Sequence, residues 1–301
     1  MSQVTELYAQ SFLSFAAYAN LSKGVPSKEN LKLAGMTESQ AIDFIANWTV
    51  VNQYTDASGA SATVFQENAT GKRYLAIRGT ESPGDFNADY ILAMGFPSYL
   101  SPQFVQLRGQ ISQWLSDGTL SPGFTVAGHS LGGYLAVAIG TWFSIESTNM
   151  YLFNAPGLGS LVGNALDAFR ATFGLSDTAL VNSIINVRGT GGISLIAGIG
   201  TQLSPPLYIE TESSLNPIEN HSIVGVTDAL AVYDLFARVD PTVSVATITS
   251  IIKAASNRTA NTPEAALSGL GWVYFKSYSP GEESNRDTFY TNVYEVQKEV
   301  D

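Results

Sequence analysis

The sequence predicts a three-layer α/β fold, in which a mostly parallel central sheet is flanked by helices. Short apolar runs of strand length alternate along the chain with longer segments whose apolar residues recur at helical spacing. One such run, Phe124 to Gly128, leads through a glycine-rich turn directly into a helical stretch. With 301 residues, of which 45% are apolar, the chain is long enough for one large domain or two small ones.

Composition excludes several classes of function. The net charge of -11 argues against nucleic-acid partners and against electrostatic docking on anionic membranes. The absence of cysteine excludes disulfides, thiolate metal sites and a cysteine nucleophile. No apolar run reaches the roughly 18 residues of a transmembrane helix, and the N-terminus does not resemble a signal peptide. We expect a soluble globular protein that is either extracellular without a recognisable signal peptide or cytoplasmic.

The first element is a helix from Val4 to Leu21, because its apolar residues recur every three or four positions. Thr37 followed by Gln40 has the spacing of a capping box, which opens a second helix that continues through Trp48. Ala62 to Glu67 and Arg73 to Gly79 then read as a β-hairpin with a glycine-containing turn.

Glu81 to Pro102 is rich in glycine, proline and serine, and Gln103 to Ser116 returns to helical spacing. The rest of the first domain, which we place at residues 1–256, alternates strands with helices. Its expected strands are Met150 to Asn154, Ser183 to Arg188 and Pro206 to Glu210. Its expected helices are Leu161 to Phe173, Ile223 to Arg238 and residues 241–256. Residues 257–301 are polar and less regular, and form a C-terminal extension that either packs on this domain or leads into a further region.

The glycine-rich turn has the pattern of a nucleophile elbow, a sharp turn that presents a serine between a strand and a helix. Ser130 occupies the tip, and Gly128 and Gly132 occupy the two positions that must be very small. Gly133 allows the helix to pack close to the strand. We therefore predict Ser130 as a catalytic nucleophile.

A serine hydroxyl needs a base to take its proton, and the chain has only two histidines. His129 adjoins Ser130, and adjacent side chains on such a turn point apart, so we expect His129 to pack beneath the elbow. His221 follows 91 residues after Ser130, which is the chain order of α/β-hydrolases. We predict His221 as the catalytic base.

The oxyanion of the tetrahedral intermediate needs hydrogen-bond donors. One should be the backbone N–H of Leu131, the residue after the nucleophile. The other should come from the loop after an earlier strand, which points to Thr80.

Three segments together resemble a known family. Gly128 to Gly133 looks like the nucleophile motif of lipases, and Arg78 to Asp89 resembles the corresponding segment of fungal-type (class 3) lipases, which contributes to the oxyanion hole. The region around His221 is similar to lipase-like domains of bacterial RTX proteins. The resemblance implies an α/β-hydrolase fold, with a lid formed by Tyr90 to Tyr99 that opens at a lipid surface. It implies no cofactor; RTX-type repeats are absent, and any calcium would have to lie in loops such as Asp85 to Asp89.

The triad acid departs from this pattern. Its expected position falls at Gly191 or Gly192, where no carboxylate exists. Three hypotheses remain: the acid comes from an unusual place, the site is a Ser–His dyad, or an ancestral acid has been lost. The acidic residues nearest in sequence are Asp177, Glu210, Glu212 and Asp228.

These observations predict a lipase or esterase that forms an acyl-enzyme on Ser130, with His221 as base. The apolar loops at 90–104 and 189–207 favour a substrate with a fatty acyl chain. Phospholipase A1 or polyester hydrolase activity would use the same site, and a serine peptidase is a further alternative. A catalytically impaired binding module of a larger secreted protein is the alternative from another class.

Overall fold

The computed structural model describes residues 2–79, 102–144, 149–157, 182–192, 204–255, 262–275 and 285–301, together with residues 194, 197 and 202. Within these ranges, seven strands form one sheet in the order in which they follow along the chain. The strands are β1 (Trp48–Thr55), β2 (Ser61–Glu67), β3 (Arg73–Ile77), β4 (Thr125–His129), β5 (Met150–Phe153), β6 (Ile184–Gly189) and β7 (Pro206–Ile209).

The described helices cover both faces of this sheet. They are α1 (Gln3–Ala16), α2 (Lys28–Leu33), α3 (Glu38–Asn47), α4 (Pro102–Ser116), α5 (Leu131–Ser144), α6 (Pro217–His221), α7 (Ile223–Val239), α8 (Val245–Ala255), α9 (Thr262–Phe275) and α10 (Arg286–Val300).

The sheet is antiparallel at one side and parallel across the rest. β1, β2 and β3 pair antiparallel, whereas each pair from β3 to β7 is parallel. The carboxyl ends of β3 to β7 therefore lie along one edge, where ligands bind in open α/β sheets. This arrangement is the mostly parallel α/β-hydrolase sheet that the sequence predicts.

The sheet separates two apolar clusters. Alternation along β4 sends Val126 into the cluster beneath α4 and α5, and Ala127 into the cluster that contains α1 and α7. Because both side chains are fully buried, β4 is a central strand with no solvent-facing side. The elbow at its end is thus held by packing from two layers.

Two expectations about the N-terminal elements need correction. The capping box of Thr37 and Gln40 is present, but its helix ends at Asn47, and Trp48 begins β1. Trp48 is in a strand and not in the helix, because it pairs with Glu67 of β2 and precedes a β-branched run. The first helix ends at Ala16 instead of Leu21, and Gly24 then exchanges two backbone hydrogen bonds with Val50.

The C-terminal extension is more regular than its composition indicates, because it contains the helices α9 and α10. Tyr290 on α10 is fully buried, and Arg286 binds the carboxylate of Asp228 on α7 through Nε (2.7 Å) and Nη2 (2.8 Å). The polar residues of this segment lie on the outer faces of its helices, and the inner faces of these helices pack on the core. The helix expected at Leu161 to Phe173 lies outside the described residues.

None of the helices in the described ranges has the length and apolarity needed to cross a membrane.

Candidate active site

The turn after β4 holds Ser130 in a left-handed conformation, with φ of 57°. A side chain at Gly128 would place its Cβ 2.3 Å from the carbonyl oxygen of Gly132, and one at Gly132 would lie 2.2 Å from the carbonyl oxygen of Ile77. Only glycine fits these two positions, because a backbone atom already occupies the space of each Cβ. The structure thus has the strand, strained serine and helix of a nucleophile elbow.

His221 faces the elbow from the short helix α6, whose first turn is capped by the side chain of Asn216. Its Nε2 lies 2.9 Å from Ser130 Oγ, although the two residues are 91 positions apart in sequence. Ser130 is only 2% exposed and His221 only 3%. The structure therefore brings the predicted nucleophile and base into direct hydrogen-bond contact within the protein.

His129 lies between the elbow and the backbone of His221. Its Nε2 is 2.7 Å from the carbonyl oxygen of His221, and its Nδ1 is 2.9 Å from Tyr18 Oη. A carbonyl can only accept, so Nε2 carries the proton and donates, and Nδ1 accepts the hydroxyl proton of Tyr18. Burial lowers the pKa of His129 to about 4, which keeps the ring neutral at physiological pH.

Asn154, at the end of β5, provides a second support for His221. Its Nδ2 donates to the carbonyl of His221 at 3.2 Å, and its Oδ1 accepts from the N–H of Gly189 at 3.0 Å. Asn154 also has a positive φ of 46°. The ends of β4, β5 and β6 together fix where the histidine backbone lies.

The electrostatic surroundings of His221 disfavour its charged form. Burial, and then the neighbouring His129, lower the pKa of His221 to about 2. The imidazole is therefore neutral and able to accept a proton throughout the physiological range. The imidazolium formed during acyl transfer would, however, be costly in these surroundings.

The two predicted oxyanion donors are the backbone N–H groups of Leu131 and Thr80. Leu131 is the first residue of α5, where the backbone N–H has no acceptor in a preceding helical turn. Thr80 lies outside the described residues. Gly79, immediately before it, runs against the elbow: a Cβ there would lie 3.3 Å from Ser130 Cβ and 2.7 Å from the carbonyl oxygen of His129.

The backbone at Gly191 and Gly192 leaves little room for the side chain of a triad acid. A Cβ at Gly191 would lie 1.9 Å from the backbone oxygen of Glu212. Gly192 has φ of 63°, and a Cβ there would lie 2.2 Å from Nδ2 of Asn220. In this backbone, a side chain at Gly191 would overlap the main chain of Glu212, and one at Gly192 would require both a strained φ and a shift of the Asn220 side chain.

The other acidic candidates in the described ranges are engaged elsewhere or exposed. Asp228 binds Arg286 and accepts the Tyr290 hydroxyl at 2.7 Å, which makes it part of the α7–α10 contact. Glu210 pairs with Lys253 at 2.9 Å, and Glu212 is exposed. Asp177 lies outside the described residues.

The group at Nδ1 of His221 is the hydroxyl of Ser194, at 2.9 Å. The sequence did not single out Ser194, because the group expected to orient the histidine was a carboxylate. The signal was present: Ser194 is one of few residues with a polar side chain in the apolar stretch from Gly189 to Leu203.

The described residues contain no cluster of three or more His, Asp or Glu side chains placed to hold a metal ion. The calcium site suggested at Asp85 to Asp89 and the lid suggested at Tyr90 to Tyr99 both fall outside the described residues.

Comparison with known proteins gives structural neighbours only. Neither a protein-family model nor a curated protein matches the sequence. The mono- and diacylglycerol lipase from Aspergillus oryzae matches with a TM-score of 0.50 and 16% identity, over 73% of this chain and 85% of that one. A deletion mutant of the Rhizomucor miehei lipase propeptide complex matches at 0.46 and 15% identity, over 73% and 75%. A triacylglycerol lipase from Penicillium expansum matches at 0.41 and 14% identity, over 70% and 80%.

At such identities the likeness concerns the fold. The Aspergillus neighbour, the sheet order and the strained serine turn agree on the same architecture. The chain has an α/β-hydrolase fold, similar to the fold of this fungal lipase.

Proposed function

We propose that the protein is a serine hydrolase that cleaves carboxylic esters of lipids. The observation that carries this proposal is the 2.9 Å contact between Ser130 Oγ and His221 Nε2 at the end of a nucleophile elbow. Nucleophilic catalysis by serine requires this pairing of a hydroxyl with a neutral base. The lowered pKa of His221, about 2, leaves the base neutral at neutral pH.

In the proposed reaction, Ser130 Oγ attacks the ester carbonyl while His221 Nε2 takes the hydroxyl proton. The N–H groups of Leu131 and Thr80 stabilise the resulting oxyanion. His221 then gives the proton to the departing alkoxide, which leaves an acyl-enzyme on Ser130. Water then attacks the acyl-enzyme while His221 Nε2 takes a proton from the water. His221 returns this proton to Ser130 Oγ, and the carboxylic acid is released.

The choice of lipid esters is supported by the Aspergillus neighbour, whose name is mono- and diacylglycerol lipase. It is also supported by the apolar residues of the loops at 90–104 and 189–207. Phospholipids and polyesters have the same acyl bond, so phospholipase A1 and polyester hydrolase activities belong in the same assay.

The test is hydrolysis of p-nitrophenyl butyrate and palmitate by the wild type, Ser130→Ala and His221→Ala. We expect both variants to fall to background, a loss of about 10³-fold or more, because each removes a reacting group. Ser250→Ala, an exposed serine whose hydroxyl bonds only the carbonyl of Ala246 within α8, is the matched control and should retain full activity. Hydrolysis that persists in Ser130→Ala would overturn the proposal.

A second candidate is a catalytically weak, lipase-like binding module. It is favoured by one observation, the hydroxyl of Ser194 at the nitrogen of His221 where a triad acid would stand. This candidate predicts that the wild type and Ser130→Ala bind monoacylglycerol vesicles equally, and that neither hydrolyses them. Release of fatty acid by the wild type alone would exclude it.

A further inference from the structure

The ring of His221 is held at both nitrogens by serine hydroxyls. Nε2 lies 2.9 Å from Ser130 Oγ, and Nδ1 lies 2.9 Å from Ser194 Oγ. His129 and Asn154 hold the backbone carbonyl of His221, and the ring of His129 also packs against the imidazole, with 4.9 Å between the two ring centroids. The two serine hydroxyls contribute to the orientation of the ring, because hydrogen bonds at both nitrogens favour one rotation of the imidazole.

Ser194 lies in the loop that follows β6 and ends near Leu203, which we call the Ser194 loop. A backbone N–H of this loop indicates how the Ser194 hydroxyl is used. The N–H of Ala197 donates to Ser194 Oγ at 3.3 Å, which occupies one of the two acceptor positions of that oxygen. The second acceptor position is left for Nδ1–H of His221, and the hydroxyl proton can point elsewhere. This arrangement suits the tautomer in which Nδ1 carries the proton and Nε2 is free to accept from Ser130.

The loop is shaped to bring Ser194 to this place. Gly191 approaches the backbone of Glu212 too closely for any side chain, and Gly192 turns through a positive φ of 63° beside Asn220. Asn220 immediately precedes His221, and its Oδ1 accepts the N–H of Ser214 at 2.7 Å. The chain thus packs the beginning of the Ser194 loop directly against the histidine segment.

We propose that Ser194 is a positioning residue that substitutes a neutral hydroxyl for the carboxylate of a Ser–His–acid triad. This inference rests on the proposed function, because it assigns a role within the same site. When Ser130 passes its proton to Nε2, the Nδ1–H of the new imidazolium stays hydrogen-bonded to Ser194 Oγ. No further proton moves, so Ser194 orients the base without becoming charged.

A hydroxyl differs from a carboxylate in two ways that affect the rate. A carboxylate only accepts, so it fixes the tautomer, whereas a hydroxyl can rotate and donate to Nδ1 instead. A carboxylate also compensates the positive charge of the imidazolium, whereas a hydroxyl offers only a dipole. The site should therefore hydrolyse esters through a correctly oriented base that is poorly stabilised when charged.

The test compares Ser194→Ala with Ser11→Ala, which removes a buried hydroxyl that donates to the carbonyl of Tyr8 within α1. We expect Ser194→Ala to lower kcat for p-nitrophenyl butyrate by about fivefold to tenfold, the effect of one lost hydrogen bond. KM should stay unchanged because Ser194 contacts the base and not the substrate. Ser194→Thr, which retains the hydroxyl, should recover most of the lost rate.

The second readout is the ¹⁵N NMR spectrum of the His221 ring, which reports the tautomer without any substrate. In the wild type we expect proton at Nδ1, and in Ser194→Ala a mixed population of both tautomers. Identical His221 spectra and kcat in Ser194→Ala and Ser11→Ala would overturn the inference. If the wild type shows no hydrolysis, the proposed function fails, and the tautomer comparison still decides the role of Ser194.

Discussion

Ser130 lies in a turn where two glycines approach other backbone atoms too closely for any side chain. Gly132 is the tighter case, because a Cβ there would lie 2.2 Å from the carbonyl oxygen of Ile77. We predict that Gly132→Ala lowers the free energy of unfolding by about 1–3 kcal/mol and displaces β3 from the elbow. Urea denaturation measures the loss.

Gly109 provides the control for this prediction. It lies inside α4, and a Cβ there meets nothing within 4 Å. Gly109→Ala should raise the free energy of unfolding by about 0.5–1 kcal/mol, since alanine favours the helix. Equal effects of the two substitutions would show that the turn is not closely packed.

Two buried histidines and the partly buried Asp43 make the stability depend on pH in opposite directions. Burial lowers the pKa of His129 to about 4 and that of His221 to about 2, whereas burial raises the pKa of Asp43 to about 6. Below about pH 6.5, the unfolded chain takes up protons on both histidines and the folded chain does not, so stability falls as the pH falls. Between about pH 6 and 4 the folded chain protonates Asp43 first, so Asp43 stabilises as the pH falls.

Asp43→Asn should therefore make acid destabilisation steeper. Without the opposing carboxyl, we expect the free energy of unfolding to fall between pH 6 and 4 by about 1.4 kcal/mol per pH unit more than in the wild type. Urea titrations at pH 4, 5, 6 and 7 give this slope. An unchanged or shallower slope in Asp43→Asn would contradict the assigned direction for this carboxyl.

Residue types and their spacing predicted part of the site. Ser130 was predicted from the spacing of the glycines around it, which is a local pattern. His221 was predicted by elimination, because the chain has only two histidines. Ser194 could not be predicted in the same way, because its role depends on the path of a loop whose turns are set by close contacts of Gly191 and Gly192.

At the scale of elements, two kinds of contact hold the helix α10 on the domain. One is the ion pair of Arg286 with Asp228, and the other is the packing of the apolar face of α10. Arg286 binds Asp228 through two nitrogens and also donates to the carbonyl of Gly35 at 2.8 Å. We predict that Arg286→Ala destabilises the protein by about 2–4 kcal/mol, because it leaves the largely buried carboxylate of Asp228 without its cation. Thermal unfolding followed by circular dichroism measures this change.

Lys253→Ala is the matched control, since Lys253 also pairs with a carboxylate but is 60% exposed. Its effect should stay within about 0.5 kcal/mol. Equal losses in Arg286→Ala and Lys253→Ala would mean that α10 is held by its apolar face alone.

Sequence patterns predicted elements best where a local signal exists. The capping box at Thr37, the β2–β3 hairpin and the helix α7 all follow from local spacing. β1 was missed because the helical pattern runs into Trp48 without a breaker, and only pairing with β2 decides where the helix ends. α10 was missed because its polar composition hides a buried face that includes Tyr290 and Val296.

At the scale of the whole molecule, the alternation of strands and helices was enough to predict the class of fold. This alternation did not predict that three distant segments lie together at one edge of the sheet. They are the elbow after β4, the loop after β6 and the histidine segment before α7. The parallel strand order brings them together, because their carboxyl ends lie side by side. The central claim is that this meeting point makes Ser130 a nucleophile.

The most direct measurement is mass spectrometry of the intact protein and its peptides after treatment with a fluorophosphonate. This reagent reacts with a serine only where a neighbouring base activates the hydroxyl. We predict one phosphonyl group per wild-type chain, located on Ser130, no adduct in Ser130→Ala and a far slower reaction in His221→Ala. A wild-type chain that stays unmodified, or that carries the adduct on a different serine, would contradict the claim.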